Sequence, residues 1–507
     1  MVSSRRFMAD DDLETGRPRD STRKGLGNSP LGPSQAITLF MSLMLVGLLV
    51  CTPMQGQDQL RMLMLARPIE TAQRVFERNL WIQDAIESTP PFQRELVTLM
   101  VGRTDPAREA AIATFDDIVR KNGYPRPDLQ GEMSGPDPRE LAGLRARRAV
   151  LLLDAGRLEE AEADLQRLAT TGDSKFVEAL RRAFKLGRAD DARSFDTYDT
   201  SLAGEEWIGT SLRMRLARAV GDEARQLDLE HSIDVRLGDL SRRLVTIATA
   251  QAVVLLLGLA AIGVWLARNR PKLVPGSADV PPAWTFEAGY ATAVRVAFAV
   301  IAIWFVVSQI DVWGGSDWAK SCSGVLTGIP IVWLIRRRLL APLGTTFRAA
   351  FGLTPTVRPL GWLSLAFAIV TIQWLGSELI VNTMHAFGAH SHWSESMQAS
   401  TSIDSPIAAP LEFGVHAVLA PFLVELGVRG LLFLTLRRHY AAWQAALFSS
   451  LLYSAAQFYS LPGLAAMTWS GFVLAMAFEM SRSLVPNIAG QIVTNALALA
   501  ALWAFWR

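Results

Sequence analysis

Long apolar runs separated by short polar breaks fill the second half of this chain, whereas the first half holds a single such run. That run, residues 36–54, is long enough to cross a bilayer as a helix. Residues 1–35 are polar and rich in Arg, Asp, Ser, Gly and Pro, which predicts a disordered cytoplasmic tail and not a cleavable signal. From 55 to 243 no comparable run occurs, and apolar residues recur at helical spacing among many charges, as in a helical aqueous domain. A second span is predicted at 244–266, followed by a linker at 267–290 with Pro271, Pro275, Pro281 and Pro282. Further runs lie at 292–312, 321–335, 360–384, 411–436, 442–459, 464–480 and 485–506. The expected fold class is therefore all-α. It is a polytopic membrane protein of about nine transmembrane helices, with spans at 291–339 leading into a core at 340–507.

Positive charge sets the expected orientation. Arg23 and Lys24 precede the first span, and Arg336, Arg337, Arg338, Arg437, Arg438 and Arg482 fall in breaks that an alternating scheme places on that same side. The break around 385–410 has no Lys or Arg. The N-terminus is thus expected in the cytoplasm of a multi-pass cell-membrane protein, with residues 55–243 and the C-terminus outside. Arginines within 55–243 do not conflict, because long translocated domains escape this bias.

Within 55–243 a short pattern recurs. Leu153-Asp154-Ala155-Gly156-Arg157 is echoed by Phe184-Lys185-Leu186-Gly187-Arg188 and again near Gly221-Asp222, with glycines 31 and 34 residues apart. That period is close to the one of tetratricopeptide hairpins, and a generic helical bundle ending its helices in Gly-Arg or Gly-Asp is the alternative. Either way the segment offers a surface to a protein partner.

Composition narrows the function. Half the residues are hydrophobic and 19% are charged, with a formal net charge of +2, so no dense basic stripe exists to neutralise nucleic-acid phosphates. The only cysteines are Cys51 and Cys322, which offer neither a disulfide framework nor a thiolate zinc site.

The chemistry concentrates in Ala420-Pro421-Phe422-Leu423-Val424-Glu425-Leu426-Gly427-Val428-Arg429-Gly430, where an acid and a base stand one helical turn apart in an apolar run. Ionisable groups at membrane depth are costly and mark sites. The string resembles the first motif of the CAAX-protease and bacteriocin-processing (CPBP, or Abi) family of intramembrane proteases, roughly A-P-x-x-E-E-x-x-F-R-G. Val424 stands where that family places its first, catalytic glutamate, and Glu425 retains the second. The second family motif, an aromatic followed four residues later by histidine, aligns with Tyr453 and Gln457. The third, H-x-x-x-N, aligns with Gln491 and Asn495. Phe351-Gly352-Leu353 precedes a span as in the family, and the resemblance extends over about 340–505.

The resemblance implies a type II CAAX prenyl endopeptidase-like fold whose site retains Glu425, Arg429 and Asn495 and has lost the first glutamate and both histidines. Glutamine neither titrates near neutrality nor ligates transition metals well, although it keeps roughly the reach of histidine for hydrogen bonding. Glu425, Arg429, Gln457, Gln491 and Asn495 are expected to face one cavity. The implied function is an impaired pseudoprotease that binds membrane-embedded or prenylated polypeptides, or scaffolds a partner, among membrane lipids and without a cofactor or metal. An active endopeptidase using Glu425 and a structural component acting through the outer domain are the alternatives. Two other groups bear weighing: Glu412 with His416, some three turns before Glu425, and the trio His385, His390 and His392 in the outer break.

Overall fold

The computed structural model describes residues 33–54, 68–101, 107–120, 126–127, 133–134, 138–171, 173–186, 195–198, 200–267, 278–312, 317–353, 359–391, 395, 408–457 and 459–506. Almost all of the 1–35 tail, ten residues of the Pro-rich linker (268–277), Gly187 and His392 lie outside this set.

The described chain is helical apart from a two-residue antiparallel ladder between Arg126–Pro127 and Met133–Ser134. After α1 (Pro33–Met54) comes the charged domain, made of α2 (Pro68–Ser88), α3 (Pro91–Val101), α4 (Ala107–Arg120), α5 (Pro138–Asp154), α6 (Leu158–Thr170), α7 (Ser174–Ala183) and α8 (Trp207–Val220). Each contributes one apolar stripe: α7 buries Phe176, Val177, Leu180 and Ala183, a spacing that returns every turn. The shared core holds Phe76 edge-on to Phe115 at 5.7 Å, with Leu80, Leu144, Leu151 and Ile208 around them.

The recurring pattern in this domain is a recurring turn. Arg157 N–H donates to the Leu152 carbonyl, Leu186 to Arg181 and Asp222 to Ala217, the same six-to-one closure after α5, α7 and α8. Gly156 and Gly221 take the left-handed conformation these closures need, at φ 73° and 80°. In the middle copy that role falls to Lys185 at φ 55°, two residues before the glycine that the sequence pattern singles out.

A single helix, α9 (Glu223–Ala267), then joins this domain to the membrane core. Its upper half completes the domain's cluster through Leu240, Leu244 and Ala248, and Thr89 shares a 2.7 Å hydroxyl contact with Ser241. Its lower half packs against two core helices, α13 (Pro359–Ala386) and α17 (Val485–Trp506).

The remaining core elements are α10 (Phe286–Val312), α11 (Asp317–Ile335), the short α12 (Phe347–Phe351), α15 (Ala442–Ala455) and α16 (Leu461–Ser481). Between α13 and α15 runs one helix, here α14, assembled from Ala408–Phe413, a π-helical Gly414–Leu419, Ala420–Val424, a second π-helical Glu425–Phe433 and Leu434–Leu436. Its stretch Gly414–Leu436 is 56% buried, against 17–33% for the other candidate spans, so α14 is the central helix. Other spans turn Leu256, Phe305 and Leu379 outward, as lipid-facing helices do.

Six of the described helices are long and apolar enough to cross a membrane, fewer than the nine expected. The clearest difference is α15. At 14 residues it is about 21 Å long, short of the ~30 Å hydrocarbon thickness. It pairs with α16 as a hairpin, and Arg437 just before α15 grips Glu479 near the end of α16 with two bonds of 2.9 and 3.0 Å. Both ends of the hairpin therefore lie at one end of the core. The charged domain lies at the other, where Arg243 donates to the Ala504 carbonyl in the last turn of α17.

Candidate functional site

Pro421 shapes the site before any side chain does. Lacking an N–H, it cannot bond the Ala417 carbonyl, and the turn ahead of it widens, with Ala420 N–H bonding back five residues to Val415. The second π-helical stretch begins at Glu425 and carries Arg429 one turn later on the same side.

Both side chains are buried, at 0% and 2% exposure. An Arg429 guanidinium nitrogen lies 3.0 Å from Glu425 Oε1, and the other terminal nitrogen donates to the Gly471 carbonyl at 3.3 Å. The guanidinium carbon sits 5.7 Å from the Tyr453 ring centroid. A side chain at Gly471 would meet Ser450 at 2.8 Å and Arg429 at 3.2 Å, so the absence of one lets the arginine reach the backbone. Gly430 likewise leaves room for Phe351, 3.0 Å from where a Cβ would stand.

The other oxygen of Glu425 is taken by a residue the sequence pattern did not nominate. Asn487 Nδ2 donates to Glu425 Oε2 at 3.0 Å and to the Leu474 carbonyl at 2.8 Å, and Asn487 is wholly buried. The available signal was its spacing. Asn487, Gln491 and Asn495 repeat every four residues and form one stripe of α17. A row of buried hydroxyls, Ser449, Ser450 and Ser454, lines the neighbouring face of α15, with Ser454 2.6 Å from Thr468 on α16.

The residues expected to share one cavity do not all meet. Glu425 and Arg429 meet each other and Asn487. Asn495 does not join them, because its Nδ2 donates to the His416 carbonyl at 2.9 Å, nine residues ahead of Glu425 and about 13 Å along a helical axis. Gln457 and Gln491 are half-buried, and among the described residues their side chains make no hydrogen bond. Val424 is half-buried beside Glu425. Where α13 ends and the following break begins, His385 and His390 have ring centroids 5.7 Å apart.

Chemically, this is a buried ion pair. A general base needs a lone pair aimed at an accessible water, and Glu425 is fully buried, with Oε2 accepting from Asn487 and Oε1 3.0 Å from the Arg429 guanidinium without a hydrogen bond among the described residues. A divalent ion does not fit the donor set, which pairs one occupied carboxylate with a guanidinium one turn away. Among the described residues, no three His, Cys, Asp or Glu gather closely enough to hold a metal ion.

Residues 406–497 match the Rce1-like family, described as type II CAAX prenyl endopeptidase Rce1-like. The matched stretch runs from the start of α14 into α17, and so contains Glu425, Arg429, Asn487 and Asn495 together. It lies within the region where the CPBP-type motifs were read. No curated protein matches the chain, and no solved structure does.

Proposed function

We propose that the Rce1-like core works as a pseudoprotease. It holds a membrane-embedded or lipid-modified polypeptide, or scaffolds a partner, without cleaving it. The observation that carries this reading is the full burial of Glu425, which is ion-paired with Arg429 at 3.0 Å and accepts a hydrogen bond from Asn487. Val424, Gln457 and Gln491 stand where the family pattern asks for an acid and two imidazoles, and groups that act as a unit leave only residual rates when several are lost. The helical domain at 55–243 supplies a protein-binding surface, its recurrent turned hairpins being compatible with a tetratricopeptide-like role. The arginine-rich end of the core faces the cytoplasm of a multi-pass cell-membrane protein, and the charged domain faces outward.

The test uses purified full-length protein in lipid with a prenylated peptide. Three forms are compared: the natural chain, Glu425→Gln, and a triple variant carrying Val424→Glu, Gln457→His and Gln491→His. The reading expects peptide binding without cleavage by the first two. Cleavage by the natural chain that disappears in Glu425→Gln would establish an active endopeptidase instead.

A further inference from the structure

Three membrane helices meet the aqueous phase around one cleft. α14 ends at Leu436, α16 ends at Ser481 and α10 begins at Phe286. Between these ends the segment Ala278–Ala283 borders an open surface cleft of about 480 Å³ together with Arg438 and Arg482. The backbone of that segment is held by both arginines. Arg438 donates to the Pro282 carbonyl at 3.2 Å, Arg482 to the Val280 carbonyl at 2.6 Å, and Ala278 N–H to the Arg482 carbonyl at 3.1 Å. Each guanidinium carries five N–H donors, so these contacts leave most of them without a protein partner among the described residues. The lining holds one carboxylate, Asp279. The neighbouring Glu479 is taken bidentately by Arg437 and lies 3.8 Å from Arg482.

Arg482 is also held in an uncommon conformation. It caps α16 with φ 54°, a region where glycine sits without strain and arginine does not. A glycine would take this turn without strain, yet the position carries an arginine whose side chain reaches the Val280 carbonyl. The depth of the cleft is marked independently by Trp333, Tyr440 and Trp443, which are exposed at this end of the core, as aromatic residues are at a headgroup layer.

We infer that this cleft is a binding site for the phosphate of an anionic phospholipid headgroup, held between Arg438 and Arg482. A phosphate diester matches the planar guanidinium fork, and a lipid supplies it at the depth where three spans end. Free phosphate shares the same chemistry and is distinguished by the test. The inference does not depend on whether the core cleaves peptides.

Full-length protein is placed in neutral phosphatidylcholine nanodiscs doped with phosphatidylglycerol, and retained lipid is counted by native mass spectrometry. Thermal unfolding in parallel reports folding. The natural chain should retain phosphatidylglycerol in preference to phosphatidylcholine. Arg438→Gln and Arg482→Gly should each weaken that retention about tenfold or more, the loss expected for removing a charge-assisted contact. Arg482→Gly keeps the left-handed backbone, so it carries the test if Arg438→Gln folds poorly. Arg348→Gln, exposed at the same end but outside the cleft, should retain the lipid as the natural chain does. Equal retention by all forms would overturn the site. So would an equal loss in Arg348→Gln, which would mean diffuse surface charge. Displacement of the lipid by millimolar inorganic phosphate would overturn the phospholipid assignment in favour of a soluble phosphate.

Discussion

Breaking the Glu425–Arg429 pair tests the reading of the core as a structural tie. Arg429→Met keeps the length and apolar bulk of the side chain but removes its charge. It leaves the Glu425 carboxylate, at 0% exposure, with Asn487 as its one neutral donor, and it strips the Gly471 carbonyl of its guanidinium bond. Removing one member of a buried ion pair costs about 3–5 kcal/mol, mostly because the survivor stays charged and unpaired. Glu425→Gln should cost about 3 kcal/mol for the converse reason, since Arg429 then keeps only the Gly471 carbonyl and a neutral amide. The double variant removes both charges, while the amide introduced at position 425 can still accept from Asn487. It should fall well short of the sum, with a coupling of about 2–3 kcal/mol. The measurement is reversible unfolding of the full-length protein in mixed bicelles, completed as a double-mutant cycle. An Arg429→Met protein within about 0.5 kcal/mol of the natural one, or additive single costs, would refute the idea that this pair holds the core together.

Two further outcomes follow from the same geometry. Asn487→Leu should cost more than Asn495→Leu, by about 1–2 kcal/mol, because it removes two bonds from a wholly buried group and leaves Glu425 Oε2 without its donor, whereas Asn495 is half-buried with one bond; the reverse order in the same unfolding assay would count against Asn487 as the partner of Glu425. In the charged domain, burial pushes Glu77, Asp84 and Asp164 above their ordinary values of 4.5, 3.8 and 3.8, although Arg147 and Arg148 pull against it for Glu77 and Asp164 and the Trp207 indole for Asp84. The fold therefore favours their protonated forms. Their contribution to stability is fully present below those ordinary values and is lost as pH rises through the raised ones. Amide-exchange protection of α2 and α5 in the full-length protein, corrected for intrinsic rates, should decline from mildly acidic to neutral pH, and Glu77→Gln should flatten the decline; an unchanged slope would exclude Glu77 as a source.

What the sequence by itself determined is whatever depends on composition along a line. The apolar runs, the charged helical segment at 55–243, the acid and base one turn apart at Glu425 and Arg429, and the family resemblance were legible there, because helix periodicity and span length are local properties. The shortness of α15 was not, since the run at 442–459 carries no charged residue along its length and only the tertiary structure shows the helix ending at Ala455. Nor was the turn residue at Lys185, because a left-handed conformation at a residue other than glycine is imposed by the helices it joins. The tertiary structure alone decided which polar groups meet. Asn487, Gln491 and Asn495 share one stripe of α17, but the angle at which α17 crosses α14 brings the first to Glu425 and sends the last to the His416 carbonyl. Helix packing sets that angle through groups distant in sequence, such as the Ala366 backbone carbonyl, 3.3 Å from where a Cβ at Gly490 would stand. A motif read along one strand of sequence cannot contain it.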